Sequence, residues 1–402
     1  MPLKIMTTSA TNVPAVPTNL RGAAGPAPHA NGNGTGQPTN GSAPHTSGTP
    51  GTNGANGSRR ASQLGVGVIG CGYWGPNLLR NFHENRDCRL IGVADLSADR
   101  LNWARGQYPH IKTTTTISDL IDNPEIDAVA IATPVNTHFE LAMRCLRAGK
   151  HVLVEKPLCH RSDLARELID EAEKRGLTLM VDHTFIYTPA VRRIHQLISA
   201  GELGQIHYYD SARINLGLVQ ADVNVLWDLA VHDLSIIQYL FPEQPQAVSA
   251  TGMRHISGRP ETIAYLTLHY ASGLIAHCHV NWLSPVKVRR TLIGGSKKMV
   301  VYDDVEPTEK IRIYDSGVKL GQTGDAEEGH PDYRLRIDYR KGDIWIPHLE
   351  GKEALRLEVE HFVDCVRNTR APLSGGLQGL QLIRTLEAAT QSLFLKGQPI
   401  PL

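Results

Sequence analysis

An α/β N-terminal domain with a doubly wound parallel sheet, followed by an α+β domain on a large, mostly antiparallel open sheet, is the fold class this sequence predicts. Three observations carry the prediction. Short apolar runs alternate with helical patterns from Leu64 to about Asp182, as in sheets whose parallel strands are joined by helices. From Ile206 onward, strand patterns recur without helices between them. A glycine-rich turn, Gly70-Cys-Gly-Tyr-Trp-Gly75, directly follows the first apolar run, where a parallel α/β unit passes from strand to helix.

Composition sets the outer bounds. The chain has 402 residues, enough for two domains with buried cores. Its 41 Lys and Arg residues balance 40 Asp and Glu residues, so net charge points to neither nucleic acid nor a membrane surface as partner. Cys71, Cys88, Cys145, Cys159, Cys278 and Cys365 are scattered without a C-x-x-C pair. That argues against a disulfide framework or a zinc site and for a reducing, cytoplasmic setting. No apolar run approaches the roughly eighteen residues of a membrane span. Residues 1–62 read as a disordered low-complexity tail. Gly, Pro, Ala, Ser, Thr and Asn dominate it, and such a composition cannot offset the entropy of ordering its backbone.

In chain order, Gly65–Ile69 is the first strand. Gly70, Gly72 and Gly75 then have the G-x-G-x-x-G spacing. Gly70 permits a sharp turn, Gly72 lets backbone approach a pyrophosphate, and Gly75 lets the next helix lie close to the strand. The helix from about Gly75 to Phe82 aims its free N–H groups at phosphates. A tight turn alone explains three glycines; their context makes a dinucleotide site. Leu90–Ala94 is a second strand, and it ends in Asp95, where a carboxylate accepts from ribose hydroxyls. The cofactor expected is therefore NAD rather than NADP, whose 2′-phosphate Asp95 would repel, with Arg100 near enough in sequence to soften that preference.

Ala128–Ile131, His151–Val154 and Leu177–Val181 continue the sheet, with Ser118 and Asn136 as expected helix N-caps. Ligands in such sheets sit beyond the carboxyl ends of the strands. Two polar turns lie there, Thr133-Pro134-Val135-Asn136 and Glu155-Lys156-Pro157. In the second half, Ile263–Tyr270 and Leu274–Leu283 form a hairpin around Ala271-Ser272-Gly273. Its alternation puts Leu274, Ala276, Cys278, Val280 and Trp282 on a core face and His277 and His279 on the other. Two histidines without a third ligand read as exposed or interface residues, so no metal is expected. Helices over Glu353–Thr369 and Gly376–Leu395 close the chain.

The segment Leu226–Leu240 has a helical pattern in which Asp228, His232, Ser235 and Tyr239 form one polar stripe. Asp228 and His232, four apart, share a face. A solvated stripe is one reading and a catalytic group the other, because oxidising a secondary alcohol needs a base for the hydroxyl proton. Lys156, on its strand-end turn, is either a surface lysine or the charge that holds an alkoxide.

Four ordered motifs carry a resemblance. Gly-Cys-Gly-Tyr-Trp-Gly at 70–75, Ala-Thr-Pro at 132–134 with Asn136 and His138, Glu155-Lys156-Pro157, and Trp-Asp-x-x-x-His at 227–232 resemble the glucose-fructose oxidoreductase, inositol dehydrogenase and MocA (Gfo/Idh/MocA) family. The resemblance runs from about residue 64 to 402. It implies a Rossmann dinucleotide-binding domain over 63–184 and a substrate-binding sheet domain over 185–402, whose final helix packs back on the first domain. It implies cofactor contacts from Gly70, Gly72, Tyr73, Trp74, Gly75, Asp95, Thr133, Pro134, Asn136, His138, Glu155 and Lys156. It also implies Lys156 and His232 as a catalytic pair with Asp228 as their partner, and Pro157 as a cis proline that aims Lys156.

A narrower resemblance, in the run at 73–82 and in Arg213-Ile-Asn-Leu-Gly at 213–217, is to the branch acting on nucleotide-linked amino sugars. The substrate residues expected are Arg213, Asn215, Gln220, Asn224 and His183, with the planar fork of Arg213 suited to a diphosphate. The expected function is an NAD-dependent oxidoreductase of a nucleotide-linked sugar, working as a homo-oligomer formed through the C-terminal sheet. The alternatives are a free cyclitol or hexose dehydrogenase, or a non-catalytic NAD-binding regulator.

Overall fold

The structure, a computed structural model, describes residues 63–217, 219–221, 223–320 and 337–402, without the side chains of 318–320 and 337–339. The tail expected over 1–62 lies outside the described residues. Six parallel strands form the first sheet: β1 (Leu64–Ile69), β2 (Cys88–Ala94), β3 (Lys112–Thr114), β4 (Ala128–Ile131), β5 (His151–Glu155) and β6 (Leu179–Asp182). Their order is β3-β2-β1-β4-β5-β6, so the winding reverses between β1 and β4. That switch point opens a crevice at the carboxyl ends of both strands. Every residue of β1 is buried, as a run covered by helices on both sides requires. The flanking helices are α1 (Gly75–Glu84), α2 (Ala98–Gln107), α3 (Ser118–Ile121), α4 (Val135–Arg147) and α5 (Ser162–Arg175).

Local details depart from the sequence expectation. The edge strand β3 has no apolar run to announce it, being Lys-Thr-Thr. The sixth strand starts at Leu179 rather than Leu177 and extends to Asp182, which its register sets opposite Glu155. Neither expected N-cap serves as one. Pro134 occupies the cap of α4 and starts the helix through its own restricted backbone, so Asn136 falls exposed within the first turn. Ser118 lies inside α3, where its Oγ accepts a bond from Arg144.

The second sheet has nine strands. Its central order is β13 (Ile311–Tyr314), β12 (Met299–Asp303), β11 (Leu283–Gly295), β7 (Ile206–Leu216), β10 (Ile275–Asn281), β9 (Ile263–His269) and β8 (Ala247–Met253). The short strands Ile344–Trp345 and Ile400–Pro401 close its two edges. Only the β7–β10 pair is parallel among these described strands. One face carries Ala276, Cys278, Val280 and Trp282 into a core completed by α6 (Pro189–Ser199) and α7 (Val231–Leu240). On the other face Tyr265 stacks on His279 with ring centroids 4.5 Å apart, and His277 lies 3.2 Å from Asp210.

Two C-terminal helices connect these layers. In α9 (Gly376–Phe394), Leu380 and Ile383 enter the core of the parallel sheet, while Leu382, Leu386 and Ala389 enter that of the large sheet. Gly379 permits the close approach, since a Cβ there would lie 3.0 Å from Val181 and 3.2 Å from Leu158. In α8 (Ala354–Asn368), Phe362 packs edge-on against Phe82 of α1, and Glu358 is wholly buried towards Asp182.

Burial first, and then the Asp182 charge, hold the Glu358 carboxyl well above the usual carboxylate range. The protonated acid is therefore favoured in the fold relative to the unfolded chain. A raised carboxyl pKa makes stability greatest below the ordinary carboxylate range and erodes it as pH climbs toward the folded value, by about 1.4 kcal/mol per pH unit. Glu358→Gln should melt higher than the parent at pH 8, with the gain shrinking towards pH 4. An equal or lower melting temperature at pH 8 rules this out.

Candidate active site

The glycine turn closes on the end of β4. Gly70 has φ +97°, and a Cβ there would sit 2.4 Å from the Ala132 carbonyl oxygen. A Cβ on Gly75 would lie 2.2 Å from the Gly70 oxygen, so α1 touches the turn with backbone alone. Around Gly72 the nearest neighbours of a Cβ belong to the Arg100 guanidinium, at 3.5 Å, which leaves a cradle over the turn. Pro76 carries no N–H and the Asn77 N–H donates to the Trp74 carbonyl at 2.9 Å, so the first turn of α1 offers a ligand its dipole end and few free donors. Glycine cradle and helix end together fit a dinucleotide pyrophosphate.

Asp95 does two jobs. Its Oδ2 accepts from the Cys71 N–H at 2.6 Å and its Oδ1 from the Ser97 N–H at 2.8 Å, and Arg100 lies 3.6 Å away. A carboxylate has about four acceptor positions, so two remain for ribose hydroxyls. A 2′-phosphate about 4 Å from Asp95 would be repelled by on the order of 4 kcal/mol at an effective dielectric near 20. The enzyme should accordingly use NAD better than NADP in kcat/KM, with Arg100 reducing the margin. Comparable efficiency with the two cofactors would overturn this.

Other expected cofactor residues are distributed differently. Tyr73 is 91% exposed, and Trp74 is half-buried with its indole N–H donating to Asp182 Oδ2 at 2.6 Å. Pro134 and Asn136 are exposed on the rim, and Thr133 Oγ1 lies 2.7 Å from Thr137 Oγ1. His138 is not at the rim. It is 1% exposed, with one ring nitrogen 2.9 Å from the Pro157 carbonyl and the other 2.8 Å from that of Thr133. It ties two strand-end turns together and presents no face to a cofactor. Burial, and after it the Asp182 charge, hold Glu155 well above the usual carboxylate range.

The Lys156-Pro157 bond is cis. Lys156 Nζ donates to the Asp228 carbonyl at 3.0 Å and lies 3.3 Å from Asp228 Oδ1, while Asp228 Oδ2 accepts from the Trp282 indole at 2.9 Å. Asp228 sits in a π-turn, Leu226–Ala230, that precedes α7. This wider turn changes the expected register. Asp228 pairs with Lys156 and Trp282 and makes no bond with His232, so the anticipated intrahelical pair is absent. The stripe is not solvated either, because Ser235 is buried and bonds the His232 carbonyl.

His232 presents its ring edge to Phe185, centroids 4.9 Å apart, and its buried Nδ1 has no partner. Burial, then the charges of Lys156 and Arg213, hold His232 well below the ordinary imidazole range. His183 is 2% exposed with neither ring nitrogen bonded, and burial followed by Lys156 lowers it to about 3. Both imidazoles are therefore held neutral, because burial and the nearby cations oppose taking up a proton.

Two of the substrate residues are engaged elsewhere. Asn224 Oδ1 caps the π-turn, accepting from the N–H groups of Leu226 at 3.1 Å and Trp227 at 3.4 Å. Arg213 is 4% exposed, with Nε and Nη2 on the two oxygens of Asp233 at 2.7 and 3.2 Å. Its fork is thus closed on a carboxylate and cannot grip a diphosphate in the bidentate way the sequence suggested. Asn215 is half-buried with Oδ1 unpartnered, and Gln220 is half-buried in the segment before the π-turn. Sequence reasoning missed Asp182, Phe185, Trp282 and Arg289 as site neighbours. Asp182 at a strand end was detectable; the others required the packing of the two sheets.

Fold and site together define a dinucleotide-dependent oxidoreductase of two-domain build. Residues 64–183 match the NAD-binding Rossmann fold of the GFO_IDH_MocA oxidoreductase family and residues 195–402 its C-terminal alpha/beta domain; the chain belongs to that family. UDP-N-acetylglucosamine 3-dehydrogenase of Acidithiobacillus ferrooxidans is 28% identical over 331 residues, 81% of this chain and 95% of that one. The scyllo-inositol 2-dehydrogenase (NAD(+)) of Bacillus subtilis is 24% identical over 357 residues, 85% and 96% of the respective chains. Among solved structures, GenD2 from gentamicin A biosynthesis, in complex with NAD, shares the fold. Its TM-score is 0.71 at 23% identity, covering 85% of this chain and 97% of that one. No helix among the described residues is long and apolar enough to cross a membrane.

Proposed function

We propose that this NAD-dependent oxidoreductase of the sugar and cyclitol family uses Lys156, His232 and Asp228 on a secondary alcohol or ketone of a nucleotide-linked sugar. The observation that carries the reading is the Lys156 ammonium bonded to Asp228, whose other oxygen accepts from Trp282, close enough to the neutral His232 for its charge to be felt there. An ammonium has three donors, and Asp228 takes two of them. The third is left for the substrate oxygen, where its charge stabilises a developing alkoxide. His232 takes the hydroxyl proton in oxidation and returns one to the alkoxide in reduction. Bound NAD supplies the acceptor for the hydride that leaves the carbon. A purely regulatory role would need none of these three side chains.

The nucleotide-linked substrate rests on likeness to a relative named for UDP-N-acetylglucosamine, and a free cyclitol, as in the inositol relative, is the competitor. Turnover of a panel of nucleotide sugars and free polyols, followed by NADH absorbance, separates them. UDP or dTDP should inhibit competitively. Turnover of an inositol or free hexose without inhibition by any nucleoside diphosphate would decide for the competitor. The outer face of the large sheet, with Tyr208, Tyr265 and Ile275 exposed, supports association of copies through that surface.

A further inference from the structure

We propose that Arg213 and Arg289 form an oxyanion subsite beside His232 that holds a carboxylate or phosphate of the substrate. This rests on the reading above that the region around Lys156 and His232 receives the sugar.

The two arginines are directly opposed in the antiparallel register of β7 and β11. Both stack over Phe185, with guanidinium carbons 4.4 and 5.7 Å from the ring centroid, and His232 touches that ring from another side at 4.9 Å. Like charges directly opposite in a sheet destabilise it. Asp233 compensates Arg213 through Nε and Nη2, and Asp304 lies 3.4 Å from Arg289 Nη1. These carboxylates leave two buried nitrogens, Arg213 Nη1 and Arg289 Nε, without a partner.

A guanidinium stays protonated, so each is a donor in need of an acceptor. The Tyr302 hydroxyl donates to Asp304, and neither arginine nitrogen bonds its oxygen. An oxyanion arriving with the substrate satisfies both donors and relieves the repulsion. One aromatic ring separates Arg213 from the imidazole, so the anion belongs to the reacting sugar or to the phosphate attached to it. The bound charge would also offset the positive field that, together with burial, keeps His232 depressed.

The test is calorimetric binding to the full-length protein saturated with NADH, which fills the dinucleotide cradle. The probes are glucuronate for a carboxylate, inorganic pyrophosphate for a phosphate and glucose as the neutral control. At least one anion should bind more tightly than glucose, and which one identifies the source. Arg289→Gln should weaken that anion by about tenfold to a hundredfold, the worth of a charged hydrogen bond, without altering glucose. Arg213→Lys keeps a charge for Asp233 but lacks the third guanidinium nitrogen, and should act in the same direction. Should Arg213→Lys fail to fold, Arg289→Gln decides, since Arg289 is only half-buried.

Anion binding no tighter than that of glucose, or unchanged in a folded Arg289→Gln, overturns the subsite. UDP inhibition alongside anion binding no tighter than that of glucose would leave the nucleotide-sugar reading standing while removing this one.

Discussion

Lys156→Ala and His232→Ala should each lower turnover by about a hundredfold or more, with NAD affinity nearly unchanged. Removing Lys156 deletes the charge facing the substrate oxygen and leaves Asp228 bonded only to Trp282. Removing His232 deletes the acceptor for the hydroxyl proton. Asp228→Asn should do less harm, because an amide oxygen can still meet Lys156. The pH profile gives a second check. A histidine whose folded pKa is depressed is already neutral at pH 6.5, so the acid limb of kcat/KM should fall below that value. Near-normal turnover in either alanine variant would remove both residues from the mechanism together.

The largest expected effect on stability is at Asp233. Arg213 is 4% exposed and donates two bonds to this carboxylate, so Asp233→Ala strands a buried cation. Breaking such a pair from one side costs about 3–5 kcal/mol. Replacing both partners at once, as in Arg213→Met with Asp233→Leu, should cost much less, because no charge is then left unpaired. Urea denaturation of the two variants measures the contrast. A loss below about 1 kcal/mol in Asp233→Ala, the range of exposed pairs, would show that Arg213 finds water or another partner.

That pair marks the limit of what the sequence could say about the site. Arg213 was recognisable as an arginine suited to an anion, but its partner is twenty residues away across a strand-to-helix packing that no spacing rule encodes. Asn224 shows the same limit on a smaller scale, since its amide could bond substrate or backbone and the π-turn chose backbone. His138 sits in the helix after a strand-end turn, where ligands gather, yet it is buried between two carbonyls.

What the sequence determined by itself was local in origin. Apolar runs, glycine spacing and an acid at the end of the second strand are set by the backbone demands of a strand–turn–helix unit, and those demands act over a few residues. Lys156 was legible because strand ends in a parallel sheet all open to one edge. Only the tertiary structure decided which polar groups pair. The π-turn moved Asp228 from His232 to Lys156, β10 delivered Trp282 beneath it, and β7 and β11 set two arginines across from each other. Hydrogen bonds and ion pairs fall off within a few ångströms, so their partners are chosen by the packing of sheets and helices remote in sequence.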